Sequence, residues 1–168
     1  MVWARTRLSI WDYVFEPVKQ ISINYTGKSP EKFYKKINEL IRTVYAVPEG
    51  YVQEKAYDWQ KTKEGEKFKI SWEVNKMFDQ FSYLLVEIEL KGSESGGGGQ
   101  SSIVIKPRVI TEYPQDSVWQ QSIFYEMVRR FWHSMFYHKK RMQYLDRARE
   151  LVTNFETELK HFAEELRV

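Results

Sequence analysis

The stretch SVWQQSIFYEMVRRFWHSMFYHKKRMQYLDRARELVTNFETELKHFAEELRV, residues 117–168, decides how this chain is read. It contains no Gly or Pro, and Pro114 and Ser117 supply a breaker and a cap at its start. Apolar residues recur at Phe124, Val128, Phe131, Met135, Met142, Leu145, Ala148, Val152, Phe155, Leu159, Phe162 and Leu166, with His138 in the one gap. Steps of three and four predict a single long amphipathic helix. From Leu145 onward the spacing is that of a coiled coil, and the paired threes at 142–145–148 overwind it locally.

Length then divides the helix. At 1.5 Å per residue, about fifty residues reach about 75 Å, whereas a compact body of about 115 residues is roughly 35 Å across. The proximal half carries Trp119, Phe124, Tyr125, Phe131, Trp132, Phe136 and Tyr137 on several faces, which predicts burial beneath a sheet. The distal half is then left as an assembly element, with Leu145, Ala148, Val152, Phe155, Leu159, Phe162 and Leu166 as its interface. Four large side chains left in water forgo roughly 8 kcal/mol, at about 2 kcal/mol each. Pairing with a second copy, a fold-back near 138–141, or a different protein would each cover them. With no breaker present, a homo-oligomer is favoured, a dimer first.

Upstream, residues 51–113 read as four antiparallel strands. Phe68, Ile70, Trp72 and Val74 alternate with Lys67, Lys69, Ser71 and Glu73; Leu84, Val86, Ile88 and Leu90 alternate with Glu87 and Glu89. One face is apolar and the other polar, so the sheet is covered on one side. A first strand is 51–60 and a fourth 102–113, where Pro107 predicts an edge position or a bulge. The glycine run within 92–100 reads as a mobile hairpin tip, and it lacks the pattern of a phosphate-binding loop. Before the meander, Ile21, Ile23 and Tyr25 mark another strand. Ser29-Pro30-Glu31 starts a helix over 29–46 with Phe33, Ile37, Leu40, Ile41 and Val44 on one face. Residues 8–18 read as a short helix or irregular lead-in.

The expected fold is α+β in one domain: an antiparallel sheet of about five strands in the order β-α-β-β-β-β-α. Residues 1–116 hold the lead-in, sheet and short helix, and 117–168 the very long C-terminal helix. This element order resembles the helix-grip architecture of START and polyketide-cyclase-like proteins. The resemblance implies a sheet wrapped around the terminal helix, and a carrier of a hydrophobic small molecule as one function. Trp59, Trp72, Tyr83, Phe124, Phe131 and Trp132 are the candidate lining of its aromatic space.

Composition narrows the chemistry. The absence of Cys removes disulfides, thiolate metal sites and thiol nucleophiles together. Asp12 and Glu16 interrupt the only apolar stretch near the N-terminus, so no secretory signal is read, and a cytoplasmic protein is expected. His133 and His138 lie five apart on a helix, about 140° around it, and cannot chelate one ion together. Glu87 and Glu89 read as solvated strand residues rather than an acid/base pair. No catalytic residue, metal or cofactor is assigned, and the expected function is a non-enzymatic oligomeric binding or scaffold protein. Residues 117–150 carry seven basic against three acidic side chains, which makes Arg129, Arg130, Lys139, Lys140 and Arg141 a possible anion-binding set for nucleic acid or an anionic membrane surface.

Overall fold

Alternating apolar residues make strands, and a computed structural model of the chain, which describes residues 7–63, 65–96, 98–115 and 117–167, arranges them in one six-stranded antiparallel sheet. β3 (Val52–Thr62), β4 (Gly65–Met77), β5 (Ser82–Ser95) and β6 (Gly98–Pro114) form the expected meander. Trp72 stands opposite Ile88, and Ile88 opposite Ile105. Phe68, Ile70, Trp72, Val74, Leu84, Val86, Ile88 and Leu90 are buried on the inner face. On the outer face Glu87 pairs with Arg108, and Glu89 with Lys69 and Lys91. β3 lies on the edge of the sheet, and its register slips between Glu54 and Ala56. A bulge there hinders pairing with a foreign strand.

The expected α+β class stands, with one more strand than the sequence reading counted. Part of 8–18 is not helical: β1 (Arg7–Tyr13) pairs with residues 108–114 of β6, Trp11 opposite Ile110. β2 (Ile21–Gly27) pairs with 99–105 on the same edge of β6. Ile10, Trp11 and Tyr13 suit a pleated surface, and pairing across the sheet overrides a spacing that also fits a helix. Pro107 therefore lies inside the sheet rather than on its edge. It sits where β1 has ended and β2 has not begun, so no partner on that side needs its missing N–H.

The glycine run is largely incorporated into the hairpin rather than being a loose tip. Ser95 pairs with Gly98 and Glu94 with Gly99. A Cβ at Gly92 would lie 2.2 Å from the Phe68 ring, so glycine there makes room for a core side chain. α1 (Lys32–Leu40) packs Phe33, Ile37 and Leu40 into the core and continues as a π-turn, Ile41–Tyr45.

The terminal helix is continuous over 43 residues. It comprises α2 (Ile123–Trp132), a π-turn (His133–Tyr137) and α3 (His138–Glu165). Ser122 caps it, its Oγ accepting from Tyr125 N. Leu145, Ala148, Val152, Phe155, Leu159 and Ala163 of α3 are buried in the core of the chain itself. Phe155 meets Tyr45, and Phe162 meets Phe33. This corrects the expected division of the helix: the distal half is core. The body is elongated rather than round, because the seventeen residues of β6 span about 56 Å at about 3.3 Å each.

Candidate assembly surface on the long helix

The inner side of the helix is set by polar groups as it reaches the end of the sheet. Arg141, 4% exposed, donates from Nε to Thr111 Oγ1 at 3.1 Å and from Nη2 to the carbonyls of Ile10 and Val109. It also pairs with Asp12. Thr111 Oγ1 lies 2.7 Å from Ser82 Oγ, which lies 2.6 Å from Tyr137 OH, and Tyr137 OH donates to Asp79 Oδ2 at 3.0 Å. Because Arg141 can only donate and Asp79 only accept, the hydroxyls order themselves in one direction from Thr111 to Tyr137. One turn earlier, Tyr113 OH lies 2.7 Å from His133 Nδ1, and Arg129 stacks over the Tyr113 ring.

Burial favours the neutral forms of the two phenols and the imidazole. It pushes the Tyr113 phenol up to about 12 and also raises Tyr137, where Asp79 adds to the effect. Burial lowers the His133 imidazole below its ordinary value, helped by Arg141, His138 and Arg129 and opposed by Asp12. Burial alone would raise Asp79, but hydrogen bonds from the Phe81 and Ser82 amides, with Lys140 and Tyr137, hold its carboxyl below the usual range.

These contacts turn the polar side of α2 toward the sheet. The inward residues run Arg129, His133, Tyr137, Arg141 and Leu145, in steps of four, before the threes and fours of α3 begin. A π-turn holds one residue more than an α-turn, which displaces the faces on either side by about 100°. The apolar stripe that is inward in α3 is consequently outward in α2. Ile123 is 82% exposed, Phe131 62% and Met135 63%, and Phe124, Met127, Val128 and Phe136 are exposed beside them. The lead-in adds Val118 and Trp119. An open groove of about 460 Å³ flanks this face, lined by Asp79, Gln80, Phe81, Trp132, Phe136, Tyr137 and Lys140.

The candidate sets from sequence fare differently. The interface residues Leu145, Ala148, Val152, Phe155 and Leu159 are buried by their own sheet and α1, with Phe162 and Leu166 packed at the margin of that core. They are corrected as an interface: the sheet is long enough to cover them. The candidate lining is not brought together. Trp72 lies in the core, Trp59 stacks on Phe68 at the β3 edge, Tyr83 is on the outer face, and Phe124, Phe131 and Trp132 are on α2. Of the basic set, Arg129 and Arg130 share Glu126, Lys140 pairs with Asp79, and Arg141 with Asp12. Each of those four has an acidic partner within the chain.

Among the described residues no group of His, Asp and Glu is placed to hold a metal ion, and no helix is long and apolar enough to cross a membrane. The polar chain from Arg141 to Asp79 has one sequence signal, Arg141 four residues before Leu145, and that residue lies beside the apolar stripe rather than in it, where it reads as part of a basic surface. No family model and no curated protein matches the chain.

Proposed function

We propose that this chain is a non-enzymatic assembly protein whose copies join through the outward face of α2. The observation that carries the reading is the seam Phe124, Val128, Phe131 and Met135, exposed on the side of the helix away from the sheet. Its steps of four, three and four are those by which one helix receives another. Ten large apolar side chains over 118–136 are exposed. Aromatic side chains of 150–250 Å² each, roughly three-fifths bare, make the exposed apolar area on the order of 1,000 Å² per chain. A stable interface uses about 800 Å² per partner, and a lone monomer rarely shows such a patch. Pairing of the nearby basic residues within the chain favours an apolar partner surface over phosphate.

Sedimentation equilibrium at about 100 μM chain, well above a Kd of roughly 1 μM, tests this. The expected mass is that of a dimer, falling to a monomer in Phe131→Glu with its circular dichroism retained. A wild-type monomer at that concentration defeats the proposal.

A further inference from the structure

We infer that the two α2 helices pair antiparallel about a two-fold axis between Val128 and Phe131, so that Trp119 of each copy is seated in the aromatic groove of the other. This rests on the self-association through α2 proposed above and adds its geometry. The seam steps four, three, four, and so reads the same in both directions along the helix. Antiparallel copies then match Phe124 with Met135 and Val128 with Phe131, every member meeting a large side chain. Such an interface is isologous and closes on itself.

The same register brings Ile123, where α2 begins, level with Phe136 of the other copy, and the turn just ahead of it carries Trp119. The groove lies at that level. The Asp79 carboxylate in it is already occupied by the Phe81 and Ser82 amides, Tyr137, Tyr144 and Lys140. What remains open to a ligand is chiefly the aromatic wall of Phe81, Trp132 and Phe136. Trp119 is 58% exposed and touches Phe124, at the end of the seam. An indole reaching an aromatic slot at the margin of an apolar seam has the character of an interface anchor. Parallel pairing would instead place Trp119 beside its own copy and leave the groove unfilled.

The chain has no cysteine, so a single introduced one carries a single spin label. Gln121, Arg130 and Lys139 are exposed. Dipolar distances are measured between labels on Gln121→Cys, Arg130→Cys and Lys139→Cys dimers, each first checked for dimer mass. Antiparallel pairing sets the two Arg130 sites nearly level and offsets the Lys139 pair by roughly 28 Å along the axis, at 1.5 Å per residue; the Gln121 pair, in the turn ahead of α2, is also set far apart. The expected result is the shortest distance at Arg130 and longer ones at both ends. Three equal distances mean parallel helices and overturn the inference while leaving self-association intact. A monomeric wild type overturns both. Trp119→Ala is expected to weaken dimerisation on the order of tenfold or more, and an unchanged Kd removes the groove as the seat of Trp119.

Discussion

Arg141 and Asp12 form an ion pair whose two ends differ. The arginine side chain is 5% exposed and the aspartate 34%. Asp12→Ala strands a buried cation, and chemical unfolding is expected to show a loss of about 3–5 kcal/mol. Arg141→Met leaves a carboxylate that water can reach, and is expected to cost less; the reverse order would count against the buried network as described. His133 supplies a pH dependence. Its folded pKa is lowered, so the unfolded chain binds the proton more readily. Stability is therefore full above about 6.5 and falls as pH drops from there through the folded value. Denaturant midpoints for wild type and His133→Asn should diverge over that window, and parallel curves would exclude the histidine as the source. Tyr45 is fully buried, packs against the Phe155 ring, and its hydroxyl has no hydrogen-bond partner among the described residues. Tyr45→Phe removes a desolvated polar group at constant shape, and thermal unfolding is expected to show a gain of about 1 kcal/mol.

At the scale of elements, the long helix joins two segments that turn one stripe to different sides, inward in α3 and outward in α2. Phe155 is in the core and Phe131 is not, though both belong to one stripe in the sequence. In samples too dilute to associate, Phe155→Ala is expected to lose about 3–5 kcal/mol and Phe131→Ala less than about 0.5 kcal/mol. Equal losses would contradict the orientation of α2. Periodicity made the helix legible, along with the strands around Trp72 and Ile88, because each repeats within its own segment. The π-turn left only a faint trace: the gap at His138 and the paired threes that follow. A local overwinding and an inserted residue look alike in sequence, but they rotate the preceding helix to different sides. β1 was illegible for a related reason. Leu8, Trp11, Val14, Phe15 and Val18 fit a helical face, and only residues 108–114, far along the chain, select the strand.

At the scale of the molecule, the balance between sheet length and helix length places the assembly surface. A body taken as round covers half the helix, but long strands extend the cover over α3 and leave α2 beyond Tyr113, at the end of β6. Association through an apolar face should persist when salt is raised from about 0.1 to about 1 M, where exposed charge contacts are screened within about 3 Å. A dimer that dissociates over that range, measured by light scattering, would point to the basic residues instead. The sequence alone determined the α+β class, the one-sided meander, the long terminal helix and an apolar stripe along it too extensive for one core. Those properties follow from local periodicity and the number of residues in each segment. Only the tertiary structure decided which half of that stripe is buried. The angular order of side chains on a helix is intrinsic, whereas the side that meets the sheet depends on distant partners. Here Arg141, Tyr137 and His133 hold that side against Asp12, Ser82 and Tyr113, and the π-turn lets them do so.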